Sequence, residues 1–145
     1  MSDFASVIRE RGKYVGPPAG PSMQPLLRAH RDAAVLVALT RPLKKYDVIL
    51  YRRNNGRYVL HRIIGVREDG FVLCGDAQWR KEYGVTNEMV VGVMEGFFRD
   101  ETYHSCNEIF YRIYSVLRCA ARPIRSLGFH LSLYWKALWR KLRKQ

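Results

Sequence analysis

No run of about 20 apolar residues occurs in this sequence, so no segment is built to cross a bilayer as a helix. The longest candidate, LGFHLSLYWKALW from Leu127, is too short and carries Lys136. The N-terminal stretch MSDFASVIRERGKYVG lacks the apolar centre of a secretory signal and contains acids instead. Cysteine is scarce. Cys74, Cys106 and Cys119 form no CxxC pair, and their odd number argues against a disulfide framework and fits a reducing compartment. His30, His61, His104 and His130 are scattered. His104 lies near Cys106, but nothing completes a ligand set, so neither a metal nor another cofactor is expected. Acids are also few: 13 Asp and Glu face 25 Lys and Arg, for a net charge of +12. That excess points to an anionic partner, either nucleic acid or a membrane surface rich in acidic lipid. Internal repeats and low-complexity segments are absent.

What is present suits one globular domain. The chain has 145 residues and is 48% hydrophobic, enough for a modest core and too much for a disordered chain. A short helix is expected from Ser2 to about Arg11, with Phe4, Val7 and Ile8 on one face. Residues 12–25 hold three glycines and four prolines and read as loop. The middle reads as β. AAVLVAL (33–39) is a short apolar run, and YDVILYRR (46–53) and RYVLHRIIGV (57–66) flank the turn sequence Asn54-Asn55-Gly56. Glu68-Asp69-Gly70 turns into FVLCGDA (71–77). MVVGVMEGFFR (89–99) is the last expected strand, with bends or bulges at Gly92 and Gly96. After about residue 105 the pattern becomes helical: Ile109, Ile113, Val116 or Leu117, and Ala120. Pro123 is expected to break that helix. A second stripe runs through Ile124, Leu127, Leu131, Trp135, Leu138 and Leu142. The expected division is a β unit over 1–105 and a basic helical tail over 106–145.

Within GPSMQPLL (20–27), Ser22 sits between Pro21 and Pro25, a mixture that no regular helix or strand favours. Such a loop could hold a serine still for chemistry. A serine hydroxyl needs a base to take its proton. His61 is a candidate, because in the strand VLHRII a histidine offers no packing advantage and its neutral imidazole can accept a proton. A third group usually orients the base. Asp76, at the end of the next strand, and Glu82 are the acids within reach.

The boxes GPSMQPLL, YDVILYRR, YVLHRIIGV, LCGDAQWRKE and VVGVM, in this order, resemble the signal peptidase I superfamily, which includes the self-cleaving repressors. The resemblance spans about residues 16–98. Tyr46-Asp47 stands where that superfamily usually has Gly-Asp. The sequence His61-Arg62-Ile63 resembles the histidine type, found in the endoplasmic reticulum and in archaea, and not the lysine type. The resemblance implies a mainly β fold, a β-barrel or coiled β unit, and a Ser-His endopeptidase acting on a leader or precursor peptide. It implies Ser22 as nucleophile and His61 as general base. The supporting acid falls on Asp76 first and on Glu82 second. Met23 and its neighbours Gly20 and Pro25 are implied as substrate-binding. Gly20 also stands where bacterial enzymes often carry a second oxyanion donor, which leaves that donor unassigned. Protonation of an ordinary histidine base would remove activity below about pH 6. Members of the family typically carry an N-terminal membrane anchor, and only a short stretch without a spanning run precedes Ser22 here.

From Tyr111 to Lys144 basic residues recur with almost no acids, and Tyr134, Trp135 and Trp139 sit among them. Such a segment either lies in an anionic bilayer interface or packs its stripe on the β unit. Nucleic acid is the less favoured partner, because no helix-turn-helix pattern precedes the β unit, which also argues against a repressor. The expected location is the cytoplasm, with peripheral membrane association. Two other readings stand beside the peptidase: a non-catalytic basic binding module on a peptidase scaffold, and a self-cleaving regulator.

Overall fold

A computed structural model describes residues 4–124, 126–128 and 132. One antiparallel sheet of eight strands dominates it. Helix α1 (Phe4–Arg11) leads into β1 (Lys13–Gly16), and a 3-10 turn (Pro21–Met23) precedes β2 (Ala33–Val37). Then follow β3 (Val48–Arg52), β4 (Tyr58–Arg67), β5 (Gly70–Cys74), β6 (Glu82–Val85), β7 (Val90–Arg99) and β8 (Thr102–Ser105). Helix α2 (Ile109–Ala120) follows β8. The strand order is β1-β2-β7-β3-β4-β5-β6, with β8 also paired to β7.

The strands expected from alternating and apolar runs form where the sequence places them. The Asn54-Asn55-Gly56 turn is made by Gly56 N–H donating to the Arg53 carbonyl and Arg53 N–H to the Arg57 carbonyl. Gly56 takes φ 81°, which glycine adopts without strain. The resulting hairpin pairs Ile49 with His61 and Val48 with Arg62. In β7 the register shifts beside both glycines. Glu95 is the extra residue next to Gly96, and Val91 the extra residue next to Gly92.

Three differences from the sequence reading have physical causes. Residues 13–16, expected as loop, form β1, because the four residues KYVG gain a full ladder against β2, from Lys13↔Val37 to Gly16↔Ala34. Strands β6 and β8 are similarly short and are held by pairing, with β5 and β7 respectively, rather than by propensity. The sheet is open and not a closed barrel. Closure requires the end strands to pair, yet β1 and β6 have four residues each and sit at opposite ends of the strand order. Pro17 and Pro18 follow β1 directly and remove the donors that would extend it. The first expected helix is present from Phe4. Helix α2 ends at Ala120, before Pro123, and residues 122–124 are helical again. Of the second stripe, Leu131, Trp135, Leu138 and Leu142 lie outside the described residues, as do Ser2, Tyr134 and Trp139.

Strand β3 is buried on both faces, so its residues are shared between two cores. Val48 and Leu50 join Met23, Leu27, Leu36, Met94 and Ile8 of α1 in one cluster. Ile49 and Tyr51 join Ile63, Leu73, Phe71, Val85 and Val93 in the other. The 3-10 turn carrying Ser22 is anchored from the first core by fully buried Met23 and Leu27. His61 lies on the second face of β4, two residues before Ile63.

Candidate active site

Ser22 is the middle residue of the 3-10 turn, which is closed by Gln24 N–H donating to the Pro21 carbonyl. Its own carbonyl accepts from Ala77 N–H at 2.8 Å, which ties the turn to the Gly75-Asp76-Ala77 loop. That approach is why position 75 is glycine. A Cβ there would stand 2.6 Å from the Ser22 carbonyl oxygen, closer than real contacts allow. Ser22 is half-buried and lines a cavity of about 250 Å³ together with His61. The wall is mostly apolar, from Phe4, Tyr14, Leu36, Leu50 and Leu60, with Arg53 and Gln78 as its polar members beside the pair.

His61 is 4% exposed. Burial holds its pKa well below the ordinary value, at about 4, against the opposing pull of the Glu82 carboxylate. The imidazole is therefore neutral near pH 7. Its tautomer follows from its neighbours. Tyr51 Oη donates to Glu82 Oε2 at 2.5 Å. Glu82 is ionised: burial raises its pKa, but hydrogen bonds from Arg53 and Tyr51 more than offset that and hold it below the usual carboxylate range. Arg53 donates to both Glu82 oxygens, at 2.8 and 2.6 Å. With its proton given to Glu82, the Tyr51 oxygen accepts from His61 Nδ1, 3.3 Å away. This arrangement favours the tautomer with the proton on Nδ1, which would leave the lone pair on Nε2.

Of the two candidate acids, Glu82 stands on the Nδ1 side of His61, 3.9 Å from it and bridged by Tyr51. Asp76 is committed elsewhere. Its carboxylate accepts from Arg62 Nε and Nη2 at 2.8 and 2.7 Å and from Tyr114 Oη at 3.0 Å. Arg62 is fully buried and also donates to Ser115 Oγ, Tyr111 Oη and the Tyr46 carbonyl. Arg118 donates twice to the Asp76 carbonyl. Asp76 therefore fixes the loop that holds Ser22 and clasps α2 to the sheet; both carboxylates favour the charged form of His61, Glu82 more strongly than Asp76. Met23 and Gly20, which the resemblance implies as substrate-binding, line the cavity. Pro25 is exposed and outside that lining; its carbonyl accepts from Arg99. Sequence reasoning misses Tyr51, Arg53, Gln78 and the hub role of Arg62.

The cysteines are poor nucleophile candidates. Burial pushes the Cys106 thiol up to about 11 and also raises Cys119, and Cys74 is buried, its thiol donating to the Arg80 carbonyl. No family model matches the chain, and no curated protein or solved structure matches it either.

The Tyr51 bridge yields a direct test. Tyr51→Phe leaves Nδ1–H buried without its partner and removes the link to Glu82. Nitrogen-15 NMR of His61 is expected to show the Nδ1–H tautomer in the wild type and a mixed or inverted tautomer in Tyr51→Phe. Stability should fall by about 1–2 kcal/mol in urea titrations. An unchanged Nδ1–H signal in the variant would show that Tyr51 does not set the tautomer.

Proposed function

We propose that the chain is a serine endopeptidase of the signal-peptidase-like, Ser-His class, cleaving a peptide bond in a leader or precursor peptide. The observation that carries this reading is the shared cavity, which Ser22 and His61 both line; the Nδ1–H tautomer inferred from the Tyr51–Glu82 hydrogen bond would put the proton-accepting lone pair on Nε2. His61 Nε2 takes the Ser22 proton as Oγ attacks the peptide carbonyl carbon. The tetrahedral intermediate collapses, His61 gives the proton to the leaving amine, and an acyl-Ser22 ester remains. Water, deprotonated by the same nitrogen, then releases the acid. Glu82 acts through Tyr51 to stabilise the positive charge that develops on the ring, while Arg53 holds Glu82 in place. The Ser22 N–H is the proposed oxyanion donor, a role worth about 100- to 1000-fold in rate where it has been removed. The apolar walls fit small or apolar substrate side chains.

The buried histidine moves the acid limb from its ordinary place. Near pH 6 an exposed imidazole would already be protonating, whereas His61 stays neutral until the pH approaches about 4. Cleavage is therefore expected to hold steady from about pH 8 to about pH 5 and to fall through about pH 4. Fold stability has the same sign. The folded pKa lies below the unfolded value of 6.5, so the stability present above pH 6.5 declines as pH falls toward 4, by roughly 3 kcal/mol from this group. Cleavage of a peptide library, read by mass spectrometry across this range with circular dichroism at each pH, separates the two effects. A limb at pH 6 with the fold intact would contradict the buried base.

A further inference from the structure

Helix α2 is turned inside out. Its inward face is polar and aromatic: Tyr111, Tyr114, Ser115 and Arg118 hold Arg62 and Asp76. Its apolar stripe faces outward. Ile109 is 61% exposed, Leu117 62% and Phe110 80%, with Ile113 and Val116 between them. Ile124 and Leu127 continue the exposed apolar surface beyond the helix. Among the described residues, the apolar stripe of α2 therefore does not pack on the sheet. Rolling α2 to bury it would break the hydrogen bonds to Asp76 and Arg62.

Charge says what covers this face. From Ile109 to Gln145 the sequence holds arginines and lysines but no aspartate or glutamate. Beside the stripe opens a cavity of about 440 Å³ lined by Arg41, Lys44, Lys45 and Arg112, with Val116 of the stripe on its wall. Asp47 also lines it, paired to Arg41 at 2.8 Å. Lys44 and Lys45 are both exposed, and both line the cavity. A second copy of this face would bring like charges together, whereas a layer of anionic headgroups over acyl chains matches both the cations and the apolar stripe. Among the described residues no helix is long and apolar enough to cross a membrane, so the contact is one of lying on the surface.

We infer that the outward face of α2, with the Lys44 and Lys45 cluster beside it, docks the protein on an anionic lipid bilayer. The inference is independent of the peptidase reading, and the Ser22→Ala protein is expected to bind vesicles as the wild type does. Full-length protein is sedimented with vesicles of equal parts phosphatidylglycerol and phosphatidylcholine, and with pure phosphatidylcholine vesicles. Partitioning onto the anionic vesicles is expected to be at least about tenfold stronger and to weaken with salt. Ile113→Ser/Leu117→Ser and, separately, Lys44→Glu/Lys45→Glu should each lower it at least about tenfold. Circular dichroism checks the fold, and Ile109→Gln/Phe110→Gln on the same face replaces the first pair if that pair unfolds. Equal binding to both vesicle types, no binding, or wild-type binding by the folded apolar variants overturns the inference. So does a wild-type dimer in sedimentation velocity that Ile113→Ser/Leu117→Ser dissociates, because the face would then belong to a second copy.

Discussion

Ser22→Ala is expected to lower peptide cleavage by about 10⁴-fold or more, and His61→Ala by a similar factor. The double variant should be no worse than either single one, because nucleophile and base act as a unit and removing one idles the other. The fold should survive in Ser22→Ala. Ser22 is tied to the protein through its carbonyl, which accepts from Ala77, and alanine keeps that carbonyl. His61→Ala opens a hole in a buried site and needs a thermal melt beside the kinetics. Initial rates on a peptide selected from the library, for the two single variants and the double, give the cycle. Independent, multiplying losses would mean that the two residues do not work together.

The second large effect is structural. Asp76→Ala should destabilise the protein by about 3–5 kcal/mol, because Arg62 would keep its charge in a site with no solvent exposure and lose both carboxylate bonds. The Arg62 guanidinium also lies 5.5 and 5.7 Å from the centroids of the Tyr111 and Tyr114 rings, and those cation–π contacts do not replace a carboxylate. The inner face of α2 should loosen as well, since Tyr114 loses its acceptor. Urea unfolding measures the first effect and hydrogen exchange along α2 the second. Replacing both partners by apolar residues, Arg62→Met/Asp76→Leu, should recover much of the loss. A cost below about 1 kcal/mol for Asp76→Ala would show that the buried pair does not clasp α2 to the sheet.

Much of the sheet is legible because apolar alternation and turn chemistry agree with the final pairing. The Asn54-Asn55-Gly56 hairpin is the clearest instance. Its centre at Asn55 already pairs Ile49 with His61 and puts Tyr51 and Arg53 two and four residues along the same face. That register is the signal in the sequence for the residues around the imidazole. Strands β1, β6 and β8 carry no such signal: each has four residues and owes its form to a neighbour. Spacing does not separate the two acids, because Asp76 and Glu82 lie close together in sequence; it is the buried position of Arg62 that engages the Asp76 carboxylate. Arg62 looks in sequence like a surface charge on a strand. The α2 stripe shows the limit of periodicity. The repeat of Ile109, Ile113 and Val116 predicts a helix with one apolar face, and the polar anchors at Tyr114, Ser115 and Arg118 decide which way that face turns.

Tyr46 links sequence and strain. Its φ is 81°, in the left-handed region that disfavours a side chain. The position is held from both sides, by Tyr46 N–H donating to the Ile63 carbonyl at 2.8 Å and by its carbonyl accepting from Arg62 at 3.0 Å. Those two hydrogen bonds hold the segment entering β3 against β4, the strand that carries His61, and offset the unfavourable φ.

Whether Ser22 is a nucleophile activated by His61 is tested most directly by covalent trapping. The protein is treated with an alkyl fluorophosphonate, and the modified residue is located by peptide mass spectrometry. A single adduct on Ser22 is expected, formed at a rate that falls by orders of magnitude in His61→Ala and steeply below about pH 4 in the wild type. An adduct on any other residue, or Ser22 labelling that is as fast without His61 as with it, would contradict the proposed pair.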